Sequence, residues 1–287
     1  MKKVFQRLLM FAIAFPTVLA IVLFLPHFNH LTANIIVVLM SSLGAIEFAI
    51  IIGKKGYRIP NWEAAILGGL VPLAASLTLS FNAPKDLIVI SFMLGSTWII
   101  SSRVFSSNDK IQCMASRAAS GFSVLVYPGA FMAWIIRINS LPHASQILLI
   151  FLLIVFANDS LAWLFGMLFG KGNRGLIPAS PNKSLVGFIG GLLASVIVGC
   201  LAPLFFPEIF SISKASFLAN AFFAGALLGF ASGFAAIIGD LAESTIKRSS
   251  EVKDSGSIIP GRGGVLDSID SLSLAAPVFY VAYRLLF

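Results

Sequence analysis

The chain is apolar and weakly charged for its length. It has 287 residues, of which 58% are hydrophobic and 11% charged, and its formal net charge is +8. Soluble domains carry about 25% charged residues, so the composition excludes an ordinary soluble domain and predicts a membrane protein. The basic residues stand between apolar runs, which indicates membrane orientation rather than binding to nucleic acid. With only Cys113 and Cys200, a disulfide framework is excluded as well.

Nine apolar segments approach or exceed the length of about 20 residues that crosses a bilayer. The first imitates a signal peptide, but no small-residue cleavage signal follows before Pro26, so we predict a membrane helix there. The fourth and ninth are the shortest. The predicted spans are residues 8–25, 31–53, 63–81, 87–102, 118–136, 146–168, 185–206, 216–239 and 271–287.

These segments predict an all-α fold with about nine transmembrane helices. We expect a single polytopic membrane domain over 1–287, with N-terminal transmembrane helices in 1–145. Residues 146–287 are expected to supply the catalytic helices and loops, because the polar stretches lie in this half.

The loops divide into two alternating sets that differ in basic residues. The N-terminus and one set hold sixteen Lys and Arg, whereas the other set holds three. Because cytoplasmic loops carry this excess, the N-terminus is predicted to be cytoplasmic and the C-terminus non-cytoplasmic. The long polar loops 169–184 and 240–270 would then face the cytoplasm, where nucleotides and magnesium are available.

Few acidic residues lie within or at the ends of the apolar segments. They are Glu47, Asp159, Asp240 and Glu243. A charge at membrane depth is costly and is usually retained for function, although pairing with a basic neighbour is the alternative. For Glu47 the sequence leaves both interpretations open.

A dense polar stretch begins at the end of the eighth predicted span. Asp240, Ser244 and Lys247 recur at intervals of three and four residues, so they are predicted to share one helix face. Lys247 is followed by Arg248, and this pair could alternatively serve only to set the membrane orientation.

The same stretch continues with a glycine-rich loop and two further carboxylates. Gly263 and Gly264 leave backbone N–H groups unobstructed, as a phosphate-binding loop requires. Asp267 and Asp270 are three residues apart at the start of the last helix, and magnesium is usually held by few carboxylates together with substrate phosphates. Asp267 could alternatively cap the helix. Taken together, the stretch predicts a metal–phosphate site.

An earlier polar loop carries a second candidate site. Ser180 and Lys183 come just before a predicted helix, whose N-terminus favours anions. Gly170-Lys171 lacks the spacing of a P-loop. The small residues Gly187, Gly190 and Gly191 are predicted to pack helices closely.

Both stretches resemble the phosphatidate cytidylyltransferases. The segment from Ser244 to Asp270 contains Lys-Arg, Lys-Asp, Pro-Gly-Arg-Gly-Gly and Asp-Ser-Ile-Asp in this order, and looks like the C-terminal signature of that family. The preceding Gly-Asp-Leu-x-Glu-Ser and the earlier Ser-Pro-x-Lys-Ser are similar to the family too. The specific similarity covers residues 158–191 and 239–272, and the other spans agree only in hydropathy and number.

The resemblance implies transfer of CMP from CTP to phosphatidate, giving CDP-diacylglycerol and pyrophosphate for phospholipid synthesis. It implies Mg²⁺ and a second cation, for which K⁺ is a candidate. The implied metal ligands are Asp240, Asp267 and Asp270, and these three and Lys247 are the implied catalytic residues. The implied substrate-binding residues are Asp159, Ser180, Lys183, Ser244, Arg248, Lys253, Arg262, Gly263 and Gly264.

The chain departs from the family pattern at three positions. Arg262 stands where the family usually has His, Ser268 where it has Arg, and Val186 where it has Glu. Arg262 retains a phosphate-binding donor but cannot transfer a proton at neutral pH. An inactive relative is therefore one alternative.

Two further alternatives differ in chemistry. A CTP-dependent kinase of polyprenol or another lipid alcohol would release CDP instead of pyrophosphate. A transporter would place its ionisable residues near mid-membrane, often in inverted repeats, whereas here they concentrate at one predicted surface. We expect CTP, phosphatidate and the bilayer as partners, no nucleic acid, and a bacterial inner (cytoplasmic) membrane location. A homodimer is implied by the family resemblance alone.

Overall fold

The computed structural model describes residues 2–56, 58–211, 220–259 and 263–287, and these residues form helices joined by loops. Within the described ranges, β pairing is limited to two isolated bridges, Arg174 with Ser184 and Ile259 with Gly263. The predicted all-α fold is confirmed. The helices are α1 (Lys2–Phe24), α2 (His27–Gly53), α3 (Asn61–Ser80), α4 (Leu87–Ser101), α5 (Asn108–Gln112), α6 (Met114–Val124), α7 (Ala133–Ile138), α8 (Ala144–Phe169), α9 (Leu185–Phe205), α10 (Ala221–Ser249) and α11 (Leu266–Leu286).

Seven helical stretches of the described chain are long and apolar enough to cross a membrane. They are His27–Gly53, Asn61–Ser80, Met114–Ile138, Ala144–Phe169, Leu185–Phe205, Ala221–Ser249 and Leu266–Leu286. Two shorter apolar helices, Ile13–Phe24 and Leu87–Ser101, account for the other two predicted segments. The fourth segment is short, as predicted, whereas the ninth extends to full spanning length because α11 begins at Leu266. The chain is a multi-pass membrane protein.

The fold comprises two compact units. The first contains Met1–Ser140 and Ile246–Ile269, and the second contains Leu141–Thr245 and Asp270–Phe287. Helices α10 and α11 each contribute residues to both units. The single domain expected from the sequence, with its division at residue 145, stays a prediction.

In the first unit, α2 packs closely against α3. A Cβ at Gly68 would lie 3.0 Å from the carbonyl oxygen of Ser41, and the Ser41 hydroxyl donates a hydrogen bond of 2.7 Å to the carbonyl of Gly68. Such contacts between small residues let helix backbones approach within a membrane.

A buried ion pair joins α3 to two further helices of this unit, α4 and α6. Arg117 on α6 pairs with Glu63 on α3, and Trp98 Nε1 on α4 donates to Glu63 Oε1 at 2.8 Å. Arg117 is therefore a buried packing residue, although it is one of the sixteen basic residues that the sequence analysis counted on the cytoplasmic side. Between α6 and α7, residues Leu125–Ala130 form a π-helical turn at Pro128, which has no N–H to donate.

In the second unit, small residues on α9 allow close approach of α8 and α10. A Cβ at Gly187 would lie 2.7 Å from the carbonyl oxygen of Ala162, and one at Gly191 would lie 2.7 Å from that of Asn158. The predicted packing role of this glycine run is confirmed. Asn158 Nδ2 also donates to Ser195 Oγ on α9 at 3.0 Å and to the carbonyl of Gly233 on α10 at 3.2 Å, so one buried amide joins the three helices.

Candidate active site

A cavity of about 420 Å³ lies in the second unit, bounded by α8, α9, α10 and the loop before α9. Three predicted site residues line it together: Asp159 from α8, Lys183 from the loop and Asp240 from α10. Trp163 and Phe188 supply apolar walls. This volume falls within the range of small-molecule sites, about 300–1,000 Å³.

Lys183 and Asp240 form an ion pair at this cavity, across 57 residues of sequence. Their side chains are 29% and 31% exposed, so the pair remains open to solvent or ligand. Lys183 Nζ also lies 5.9 Å from the centre of the Phe188 ring. The pair therefore offers a cation for a phosphate and a carboxylate for a metal ion in one accessible place.

The loop before α9 positions Lys183 through local hydrogen bonds. The Lys183 N–H donates to the Ser180 carbonyl at 3.1 Å, which closes a turn, and Ser184 caps α9 by accepting from the Gly187 N–H at 3.1 Å. A polar N-cap of this kind satisfies one of the free N–H groups at a helix start. The predicted helix start at residue 185 is confirmed.

Another predicted site residue, Asp267, belongs to the first unit. Three hydrogen-bond donors surround its carboxylate, and we call this arrangement the Asp267 cradle. Its Oδ1 accepts from Lys247 Nζ, and its Oδ2 accepts from the backbone N–H groups of Ser255 at 3.1 Å and Gly264 at 2.7 Å. The Lys247 and Asp267 side chains are 12% and 9% exposed. Three donors to one carboxylate stabilise its ionised form and fix its direction.

The glycines of the loop serve this cradle directly. Gly263 has φ +120°, in the left-handed region that favours glycine, and a Cβ there would collide with Asp267 Oδ2. A Cβ at Gly264 would collide with Ser255 Oγ and Glu47 Oε2. The backbone reaches the carboxylate because both side chains are missing, and the predicted approach of a phosphate to these glycines stays a prediction.

Sequence comparison identifies the family. The sequence profile described as the cytidylyltransferase family matches residues 5–286. The chain belongs to this family.

Curated relatives of the chain include several phosphatidate cytidylyltransferases. The enzyme of Staphylococcus haemolyticus is 34% identical over 213 residues, covering 74% of each chain. That of Thermotoga maritima is 34% identical over 224 residues, covering 77% of each. That of Staphylococcus saprophyticus is 30% identical over 277 residues, covering 92% of this chain and 95% of the relative. Similarity thus extends well beyond the two polar stretches that first indicated the family.

The remaining predicted site residues differ in burial and in their hydrogen-bond partners. Asp270 is buried, and its Oδ1 accepts from the Ser271 N–H at 2.6 Å. Arg248 is exposed and its Nη1 donates to the Val252 carbonyl at 3.4 Å, while Lys253 is exposed in the loop. Ser180 and Ser244 are half-buried. Arg262 lies outside the described residues.

Among the described residues, no group of three or more His, Cys, Asp or Glu has the arrangement of a metal site. This does not conflict with magnesium, which is usually bound through one or two carboxylates plus substrate phosphates and water. Asp240 and Asp267 each bind a lysine ammonium group, so each carboxylate already stands where a positive charge is favoured. Their chemistry fits a hard cation.

Two contributors to the loop were not predicted as site residues. Ser255 Oγ accepts from the Asp267 N–H at 3.3 Å and donates to Glu47 Oε2 at 3.1 Å. Glu47 is the one acidic residue of the apolar helix α2, and this isolation was the available signal. Its partners stand 208 and 219 residues away, so no local pattern could identify them.

Proposed function

We propose that this chain is a phosphatidate cytidylyltransferase, which transfers CMP from CTP to phosphatidate and gives CDP-diacylglycerol and pyrophosphate. The observation that carries the proposal is a repeated pairing: two carboxylates predicted to bind metal, Asp240 and Asp267, each contact a lysine predicted to bind phosphate. Each pair offers a carboxylate for a metal ion and an ammonium group for phosphate oxygens. The named relatives support the same reaction.

The reaction requires one bond to form and one to break. A phosphate oxygen of phosphatidate attacks the α-phosphorus of CTP, and the bond between that phosphorus and the oxygen bridging to the β-phosphorus breaks. The bridging oxygen leaves with pyrophosphate and takes up the developing negative charge. Catalysis of such transfers depends mainly on positioning and on cations near the charged oxygens.

The nucleophile needs no base in the protein. The second pKa of a phosphate monoester is about 6, so the phosphatidate head group is largely ionised at neutral pH. Arg262 in place of a histidine is therefore compatible with this transfer, because no proton has to move. Phosphorylation of a lipid alcohol, in contrast, requires removal of a hydroxyl proton, which an arginine cannot accept.

In this proposal, the residues of the chain bind and orient the reactants. Lys183 and Lys247 neutralise phosphate oxygens, and Arg248, Lys253 and Arg262 add positive charge to the polar loop. Asp159, Ser180 and Ser244 contribute hydrogen bonds. Gly263 and Gly264 place no side chain between the loop and the triphosphate.

We also propose magnesium as the cofactor, with Asp267, Asp270 and Asp240 as its protein ligands. When bound with CTP, it would neutralise charge on the phosphates and on the leaving pyrophosphate. The fixed direction of the Asp267 carboxylate supports its part, and the accessible Asp240 supports a second contact. K⁺ as a further cation, and a homodimer, stay predictions.

The location of the site follows from the distribution of charge. We propose a bacterial inner membrane with the polar loops and the active site facing the cytoplasm. The excess of basic residues in one set of loops supports this orientation.

Product analysis tests the reaction. Purified protein in lipid vesicles would receive Mg²⁺ and CTP labelled separately at the α- or γ-phosphorus, with either phosphatidate or a polyprenol. The proposal predicts α-label in the lipid product and γ-label in pyrophosphate, with phosphatidate only. Transfer of γ-label to polyprenol would establish a kinase instead, and no transfer from folded protein would support an inactive relative.

A further inference from the structure

The buried carboxylate of Glu47 contacts the residues next to Asp267 in the cradle. Glu47 on α2 is 4% exposed, and a carboxylate at such a depth is costly unless hydrogen bonds compensate it. Its Oε2 accepts from the backbone N–H of Leu266 at 2.8 Å and from Ser255 Oγ at 3.1 Å. Both partners belong to the loop and helix start that present Asp267.

The contacts of Glu47 complete the start of α11. The first N–H groups of a helix have no partner within the helix, and the residue before Leu266 is Val265, whose apolar side chain cannot cap it. Glu47 accepts from Leu266 directly. Ser255 bridges Glu47 to the next N–H group, that of Asp267. A remote helix thus supplies the cap that the local sequence lacks.

Glycines around Glu47, on α2 and in the facing loop, leave room for close packing. Gly44, one helical turn earlier on the same face, makes room for Ile269: a Cβ at Gly44 would lie 2.8 Å from Ile269 Cδ1. Cβ atoms at Gly256 or Gly264 would collide with the Glu47 carboxylate. The loop glycines are therefore required by a buried side chain as well as by the Asp267 cradle.

We propose that Glu47 is a positioning residue for the reaction, which holds Ser255 and the start of α11 so that the Asp267 carboxylate keeps the direction in which it meets the metal. The inference rests on the proposed function, in which Asp267 binds magnesium. In this role Glu47 acts through Ser255 and Leu266 rather than on the reacting groups. Removing groups that orient metal ligands typically lowers metal affinity or activity by about 10–100-fold.

Two substitutions separate hydrogen bonding from charge. Glu47→Gln keeps an amide oxygen able to accept from Leu266 and Ser255, whereas Glu47→Ala removes the acceptor. We expect the alanine variant to raise the Mg²⁺ concentration for half-maximal turnover by roughly tenfold or more. The glutamine variant should stay within a few-fold of the wild type. Ser255→Ala, which breaks only the bridge to Asp267, should give an intermediate increase.

Amide hydrogen exchange provides a measurement that does not depend on activity. In protein without added metal, Glu47→Ala should accelerate exchange in peptides containing Leu266 and Asp267, and Glu47→Gln should not. Glu63→Gln is the matched control, because Glu63 is 3% exposed in the same unit but contacts Arg117 and Trp98 instead. It should leave both the Mg²⁺ dependence and this exchange unchanged.

The outcomes divide clearly. Normal exchange and normal Mg²⁺ dependence in Glu47→Ala would overturn the inference, as would equal damage in the glutamine and alanine variants. If Glu47→Ala does not fold, Ser255→Ala and Glu47→Gln still decide, since only the first should alter exchange at Asp267. If exchange changes as expected but the wild type has no cytidylyltransferase activity, Glu47 does hold the start of α11 and the proposed function has failed.

Discussion

The two lysine–aspartate pairs differ in how the protein holds them. Lys183 and Asp240 meet at an open cavity and are each about 30% exposed, whereas Lys247 and Asp267 are about 10% exposed. Asp267 also accepts from two backbone N–H groups. The first pair is therefore accessible to a ligand, whereas hydrogen bonds fix the direction of the Asp267 carboxylate.

The difference has a physical basis in solvation. An exposed ion pair contributes about 0.2–1 kcal/mol, so a ligand can separate Lys183 from Asp240 at little cost. Breaking a buried pair by removing one partner costs about 3–5 kcal/mol, because the other charge stays behind. We therefore expect Lys183 to leave Asp240 and bind a substrate phosphate, and Asp267 to keep its position.

The largest effect should come from the fixed carboxylate. Asp267→Asn keeps the size of the side chain but removes its charge and leaves Lys247 without its partner carboxylate. We expect turnover to fall by roughly 10²–10³-fold, the range seen when a group that stabilises transition-state charge is removed. The measurement is CDP-diacylglycerol formation at saturating substrates, with thermal unfolding in parallel. Turnover near that of the wild type would show that Asp267 does not belong to the active site.

A smaller effect, expressed in binding, should follow from the open pair. Lys183→Ala removes a charged hydrogen bond worth about 1.5–3 kcal/mol, so we expect KM for CTP to rise about 10–100-fold. Stability should change little, because the pair is partly exposed. Steady-state kinetics with varied CTP and phosphatidate checks this. A fall in kcat alone would contradict the assignment of Lys183 to substrate binding.

A glycine substitution sharpens the comparison on the side of the cradle. Gly263→Ala places a Cβ against Asp267 Oδ2 at a φ of +120°, and left-handed backbone in a non-glycine residue costs about 1–3 kcal/mol. We expect about tenfold lower turnover. Gly56→Ala is the matched control, since Gly56 has φ +88° with no atom within 4 Å of its Cβ position. Equal losses in both variants would show that backbone strain alone is responsible.

The smallest effect concerns a third ion pair, in which both side chains are exposed. Lys55 Nζ binds Glu251 Oε1 at 2.6 Å, and this hydrogen bond and the charge of Lys55 lower the pKa of Glu251. Because the pKa of the folded state lies below the ordinary 4.5, the small stabilisation is present above pH 4.5 and is lost as pH falls through the lowered pKa. Glu251→Gln should remove this component of the pH dependence of thermal unfolding, most visibly at low salt. An unchanged pH profile would contradict it.

Much of the fold was predictable because hydropathy depends on local sequence. Each of the nine predicted apolar segments overlaps a helical stretch of the described residues, and residues 216–219 of the eighth lie outside them. The start of α9 was predicted correctly because Ser184 caps it locally. The role of Arg117 was not predictable, since its buried partner Glu63 is 54 residues away. The predicted apolar segment 271–287 covers only part of α11, because the first turn of this helix carries polar residues that lower its hydropathy.

The candidate site was predictable only in part. Asp267, Lys247 and the loop glycines fall within one short stretch, so their association was expected. The pairing of Lys183 with Asp240 and the contact of Glu47 with Ser255 join distant parts of the chain, and only folding brings them together. Single residues in apolar helices give no periodic signal, which is why Glu47 remained ambiguous in the sequence.

Metal binding by Asp267 when nucleotide binds is the part of the proposed function that can be measured most directly. Mn²⁺ can replace Mg²⁺ as a paramagnetic probe, and its binding to purified protein with CTP can be followed by electron paramagnetic resonance. We expect Asp267→Asn to weaken Mn²⁺ binding at least tenfold and Glu251→Gln to leave it unchanged. Wild-type Mn²⁺ affinity in a folded Asp267→Asn protein would show that Asp267 does not hold the metal.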